Sequence, residues 1–429
     1  MRVVCLGVGL GVAVGLAPLA SGQGIAHPGP RCTLHADESG ALAPALRRGG
    51  GDRFEPCPEA ERTATFVLTG EDLPAGVRVS LQAALDVWAC QIVSDVPIEV
   101  SASWRDIGGG RLGSAGPRAV RGNAPGLIPN TWTPFALADA IVGENLAPEA
   151  DIEAEFNSAF GDWWLQPSQP VPEMQYDLAT VALHEIGHGL GLLGAMTVND
   201  GMGFVEGPNG NDVPFVYDRF TEDAAGVSLL DQDAYPRPSS ALADALTAET
   251  FFDGEAVRQL DAGPLPLFAP TTWTEGGSYD HLEEARFAAS TPDGLMTPFL
   301  SRGERITEPG PTTCAMLADM GWELAGSCAE SIGPLGPRGV SLGIDVLGAS
   351  PFRAGTEVGL RSAVPRSVRL SLVDMRGRTV AVLFDGRVEP GESARVPITG
   401  RGLASGAYLL IAQADGERVA RLVTRLAPR

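Results

Sequence analysis

Two histidines and a glutamate stand together in the run Asp177-Leu-Ala-Thr-Val-Ala-Leu-His184-Glu185-Ile-Gly-His188-Gly-Leu-Gly191. On a helix, His184 and His188 project from one side, one turn apart. Two imidazoles so placed can share a tetrahedral zinc ion, with metal–nitrogen bonds of about 2.0–2.1 Å. Glu185 then lies beside the metal rather than on it, where its carboxylate can take a proton from water as a general base. The neighbours signal the helix that this chemistry needs. Asp177 is a good N-cap, and Leu178, Val181, Leu183 and Ile186 supply apolar faces. A helix with such flanks is buried, and two histidines without partners inside it would be costly. Gly187, Gly189 and Gly191 relieve crowding and then end the helix.

A catalytic zinc ion usually takes three protein ligands and keeps one position open. The chain has five histidines, and His27 and His35 fall in the N-terminal arm. A three-histidine site within the body must therefore use His281, in Gly277-Ser-Tyr-Asp-His281-Leu282. The rival is a carboxylate: Glu283, Glu284 or Asp200. Imidazole suits a hydrolytic zinc ion, which favours His281. Tyr279 is a candidate for stabilising an oxyanion. Acidic and amide residues between Asn199 and Asp212 are candidates for a structural calcium ion, but they lack the EF-hand pattern, and a solvated loop is the plainer reading.

The elements that must position these residues can be read around them. Thr63–Thr69 reads as a strand, Val79–Ile92 as an amphipathic helix with Leu81, Leu85 and Trp88 on one face, and Pro97–Trp104 and Asp151–Phe156 as alternating strands. Residues 199–280 form a long acidic insertion, too long to lack elements of its own. Residues 312–322 read as a helix and 326–339 as a linker. About seven short β-patterned runs follow in 340–429, among them Ser367–Asp374, Thr379–Phe384, Ala394–Ile398 and Tyr408–Ala414, a spacing that signals a β-sandwich.

The chain's 429 residues are enough for two or three domains. Residues 1–22 have the form of a cleaved secretory signal: Met1-Arg2, an uncharged run to Leu16, then small residues. Residues 23–62, rich in Pro, Gly and charge, read as an N-terminal arm or propeptide-like segment. No later stretch is long and apolar enough to cross a bilayer. The net charge is −22, and all 31 basic residues are arginine. So acidic a surface argues against nucleic acid as a partner. Residues 338–429 break the pattern with 14 Arg against 8 acids, a net +6, which supports a boundary there. Without the signal five cysteines remain, and an exported protein is expected to pair them. Cys314 and Cys328 flank one helix and its exit and suit a local bridge. Either Cys32 pairs with Cys57, or Cys57 pairs with Cys90 and leaves Cys32 free.

The run HEIGHGLG resembles the metzincin pattern HExxHxxG. Compact metzincins place the third ligand three residues beyond that glycine, where this chain has Gly194. The chain is instead similar to the leishmanolysin-like branch, in which a long insertion precedes the third histidine and a methionine turn follows. Here Leu295-Met296-Thr-Pro298 and a helix ending in Asp319-Met-Gly-Trp322 fill those places. The resemblance covers roughly residues 63–325. It implies an α+β catalytic domain with a twisted mixed sheet and an active-site helix, His281 as third ligand, Met296 as the floor under the metal, and Asp151–Phe156 as an edge strand for substrate. Metzincins also use a propeptide thiolate on zinc for latency, which would suit Cys32, although a disulfide to Cys57 or Cys90 is the plainer expectation. Residues 340–429 resemble the type IX secretion sorting domain (type A), through Ser350-Pro-Phe-Arg353, Leu372-Val-Asp-Met-Arg-Gly377 and Leu403-Ala-Ser-Gly-Ala-Tyr-Leu409. That resemblance implies an immunoglobulin-like sandwich handled by the type IX machinery, and release from the cell or attachment to its surface.

The expectation is a secreted, monomeric zinc endopeptidase acting on protein or peptide substrates. Two alternatives stay open: an inactive surface binding protein on the same scaffold, and a gluzincin-like peptidase with a carboxylate ligand.

Overall fold

A computed structural model describes residues 24–26, 31–37, 53–332 and 342–426, apart from short breaks within the last two spans. The signal-like residues 1–22 lie outside the described residues. The chain is mixed α+β and divides into two compact units, Met1–Gly333 and Pro334–Arg429.

The first unit is built on a six-stranded mixed sheet. In chain order its strands are β1 (Cys32–Ala36), β2 (Phe66–Thr69), β3 (Ile98–Arg105), β4 (Arg111–Pro117), β5 (Ile152–Asn157) and β6 (Phe299–Leu300), and across the sheet they run β6-β1-β4-β5-β3-β2. Strands β2, β3 and β5 are mutually parallel, β4 runs against β5, β1 runs against β4, and β6 lies parallel to β1. Alternation explains β3: Ile98, Val100 and Ala102 are buried while Glu99, Ser101 and Ser103 are half-buried. Helix α1 (Ala75–Ala89) buries Val77, Leu81, Ala84, Leu85 and Trp88 on one face. That face meets α2 (Leu178–Gly189), whose residues are all buried, and Trp88 Nε1 donates to the Leu183 carbonyl at 3.0 Å.

The N-terminal arm differs from its sequence reading. Its segment Cys32–Ala36 is a strand inside the main sheet. Five residues with no clear polar alternation carry little local strand signal, and their partners lie far along the chain. The stretch read as a linker also differs, because Gly326–Ile332 is helical. It is anchored by a disulfide between Cys314, on α3 (Pro311–Met320), and Cys328. Residues 333–339 of that stretch lie outside the described residues. The insertion contains its own elements, including helix Ser240–Leu246 and a three-stranded sheet of Thr221–Asp223, Thr250–Phe252 and Leu265–Pro266.

The second unit has seven strands among the described residues: β7 (Leu342–Val346), β8 (Gly355–Ser362), β9 (Arg366–Asp374), β10 (Thr379–Val388), β11 (Ser393–Thr399), β12 (Gly406–Ala414) and β13 (Glu417–Arg425). They form sheets ordered β7-β8-β11 and β10-β9-β12-β13. Val358, Leu360, Val396 and Ile398 of one sheet share a core with Leu370, Leu372, Leu410 and Val423 of the other.

Candidate metal centre

Helix α2, which carries His184 and His188, starts from Asp177, whose side chain accepts from the Thr180 amide. Arg305 grips the same carboxylate with two nitrogens, at 2.8 and 3.0 Å, and both side chains are buried. The helix then runs beneath β1, β4 and β5. Gly189 permits that approach, since a Cβ there would stand 2.4 Å from Ile152 of β5. Gly187 leaves room for Met296, whose sulfur would lie 3.0 Å from a Cβ at that position. Met296 thus packs against the helix between the two histidines. Its backbone carbonyl accepts from the Leu282 amide at 2.8 Å, next to His281.

His184, His188 and His281 come together although His281 lies 97 residues beyond His184. Their Nε2 atoms are 3.0 Å apart for His184–His188 and 3.2 Å apart for each pair with His281. Each Nδ1 is held by a main-chain carbonyl: Leu295 at 2.6 Å for His184, Leu192 at 2.6 Å for His188 and Gly277 at 2.8 Å for His281. A carbonyl only accepts, so every Nδ1 carries the proton and every Nε2 presents a lone pair. Three lone pairs facing one another cannot bond among themselves; a cation between them satisfies all three. A tetrahedron with bonds of about 2.0–2.1 Å has edges of about 3.3 Å, close to the spacing seen here. Burial keeps the rings neutral, with His184 lowered to about 4 and His188 and His281 well below the usual imidazole range.

Cys32 completes the arrangement. Cys57 and Cys90 form a disulfide, so the expectation that Cys32 would be bridged to one of them is corrected: it is free and buried. Its sulfur and one ring nitrogen each of His188 and His281 lie mutually within 4.8 Å, so this buried cluster could hold a metal ion. Sγ donates to Asp280 Oδ2 at 3.3 Å, and burial, with the adjacent Asp280 carboxylate, pushes the thiol well above its ordinary value. Among the described residues no potential metal-binding group is found away from these histidines. Glu283, Glu284 and Asp200 are not part of it, and neither are the residues from Asn199 to Asp212.

Glu185 is fully buried beside the histidines, and its Oε1 accepts from the Leu34 amide of β1 at 3.2 Å. Its Oε2 has no hydrogen-bond partner of ordinary geometry. Burial pushes this carboxyl well above its ordinary range, against the favourable pull of the Leu34 and Ala115 amides. Gly113 permits the contact, because a Cβ there would meet Glu185 at 2.9 Å.

Sequence reasoning missed Asp218 and Asp280. Asp218 is buried in the insertion and accepts from the Ala195 and Phe215 amides and the Tyr279 hydroxyl. Asp280 accepts from the Gly194 amide at 2.7 Å. Together they tie the loop after the ligand helix to the segment carrying His281. The Tyr279 hydroxyl is therefore engaged with Asp218 rather than with the histidines. A Cβ at Gly194 would collide with Tyr279 and Asp218, so this packing needs a glycine there. Asp280 had one available signal, its adjacency to His281. Asp218 had none.

No family model and no curated protein matches the chain. Among solved structures, an FMN-binding beta-glucuronidase from Facaelibacterium prausnitzii L2-6 is 11% identical, with a TM-score of 0.15, over 31% of this chain and 20% of that one. An engineered protein is 14% identical, with a TM-score of 0.16, over 32% of this chain and 33% of that one. The chain thus spans a third or less of either neighbour, and likenesses this slight carry no argument about fold or activity.

Proposed function

We propose that the chain is a secreted zinc-dependent endopeptidase of metzincin type, similar to the leishmanolysin-like branch, followed by an immunoglobulin-like type IX sorting module. The observation that carries this reading is the convergence of three neutral imidazole Nε2 atoms beside the buried carboxylate of Glu185. His184, His188 and His281 would hold the ion. When bound, zinc supplies a Lewis acid that polarises a carbonyl and acidifies water. Glu185 takes the proton from water and passes it to the departing amine. Met296 and Gly187 keep the ligand helix seated, and the three carbonyls fix the tautomers of the rings.

Cys32 stands as a further donor, and with it in place the chain is a latent form. Two disulfides, and the lack of a helix long and apolar enough to cross a membrane among the described residues, are compatible with export. The test is metal content and casein hydrolysis of the purified protein, before and after the N-terminal arm is displaced. One equivalent of zinc and hydrolysis that disappears on chelation are expected. A protein that takes up no divalent metal at neutral pH would refute the assignment.

A further inference from the structure

One buried arginine stands without a counter-charge in a chain whose acids outnumber its bases by 53 to 31. Arg121 lies on Val120–Gly122, the middle strand of a small antiparallel sheet, between Gly24–Ala26 and Trp132–Pro134. It is 9% exposed and its Nε is sealed from solvent. Among the described residues its side chain forms no hydrogen bond or ion pair. Arginine is almost never buried unpaired, because burial strips water from a charge and from five N–H donors. Thr133 stands directly opposite in the register, so the two side chains share one face of the sheet. Thr133 is 2% exposed, and its hydroxyl also lacks a partner among the described residues. Unlike Nε, this hydroxyl and the two Nη atoms of Arg121 are not sealed, so both residues reach solvent through a narrow opening.

The next position on that face adds positive charge rather than negative. The Thr131 hydroxyl accepts from Arg219 Nε at 3.0 Å, and Arg219 Nη2 donates to the Asn130 carbonyl at 2.7 Å. The opposite face is closed by the Trp132 ring, which a Cβ at Gly122 would meet at 3.1 Å. The main chain beneath is fixed as well, since the Trp132 amide donates to the Pro214 carbonyl at 2.8 Å and its carbonyl accepts from the Val216 amide at 2.9 Å. We propose that Arg121 and Thr133 form a binding site for the carboxylate of a small organic acid. The edge of a guanidinium, Nε with one Nη, matches the two oxygens of a carboxylate, and the hydroxyl adds a third donor. One buried positive charge balances one negative charge, whereas a dianion would bring an uncompensated charge out of water. Arg219, exposed beside the opening, favours approach of an anion to an otherwise acidic protein. The site uses none of the residues of the histidine centre and does not rest on the zinc chemistry.

The experiment is thermal unfolding of the full-length protein at pH 7 and constant ionic strength, with chloride replaced stepwise by acetate. The midpoint of the unit carrying Arg121 should rise saturably, by at least about 3 °C at the plateau, as for a ligand that binds only the folded state. Arg121→Met, which keeps the length of the side chain and removes the charge, should lose that response. General effects of acetate on water act alike on both proteins, so the difference between them is what is read. Thr133→Val should keep the response but need at least about tenfold more acetate to reach half of it. It carries the test should Arg121→Met fail to fold. No saturable rise in the wild type, an equal rise in Arg121→Met, or an unchanged half-point in Thr133→Val would overturn the proposal. Sulfate, and an aspartate blocked at both ends as in a peptide, should each shift the wild type less than acetate does. A larger shift from either would overturn the assignment to a small monocarboxylate.

Discussion

The proposed function gives Glu185 a second role, besides its bond to β1, and substitution can separate the two. Its carboxylate touches no ligand nitrogen but accepts from the Leu34 amide. Glu185→Ala should therefore keep zinc, measured by atomic absorption, and lose hydrolysis by about 10²–10⁴-fold, the usual worth of a general base. It should also loosen β1, read as faster alkylation of Cys32. His281→Ala behaves differently, because removing one of three imidazoles leaves only two from the protein body. Zinc content at neutral pH should fall well below one equivalent, and retention of a full equivalent would favour a carboxylate ligand instead. His184, Glu185 and His188 were legible in the sequence because their spacing is local to one helix. His281 was legible only by elimination among five histidines. Leu34 and Asp218 were not legible, since their roles come from contacts 151 and 61 residues away, with Glu185 and Tyr279.

The elements carrying these residues are held by close approaches and buried charges. Gly189 lies where a methyl group would strike Ile152, so Gly189→Ala should force α2 off β5 and cost about 1–3 kcal/mol in urea unfolding. A second pressure acts on helix Phe135–Val142. Asp139 is buried, its carboxyl raised to about 7 by burial and by the neighbouring Asp151, and Oδ2 lacks a hydrogen-bond partner. The folded state thus binds this proton more tightly than the unfolded chain, whose pKa is near 3.8. Stability from Asp139 is full below the unfolded value and is lost as pH rises through about 7. Asp139→Asn should leave pH 3 nearly unchanged, where both folded and unfolded wild type are protonated, and raise stability at pH 8 by on the order of 2 kcal/mol, read from urea midpoints. Strands such as β3 and β5 were legible from alternation, and α1 from its apolar face. Strand β1 was not, because pairing between distant segments, rather than local pattern, makes it a strand.

At the scale of the whole molecule, each unit has a core of its own. Cys314–Cys328 closes a short loop entirely within the first unit, with a sequence separation of 14. Replacing both with serine should lower that unit's stability by about 3 kcal/mol and leave the melting of Pro334–Arg429 unchanged in calorimetry. The change in charge over residues 338–429 falls close to where the second unit begins, at Pro334. The interior of the 199–280 insertion was not legible in the sequence, because its short elements depend on one another. The three carbonyls that hold the histidine rings come from separate stretches, at Leu192, Gly277 and Leu295. The three rings do not share their final tautomers and positions until all three stretches have arrived, and the last to do so must bridge a long loop. Assembly of the centre is therefore a late event in folding. In a refolding time course with cobalt, helical signal should return first, and the visible absorption of a tetrahedral complex should lag behind it.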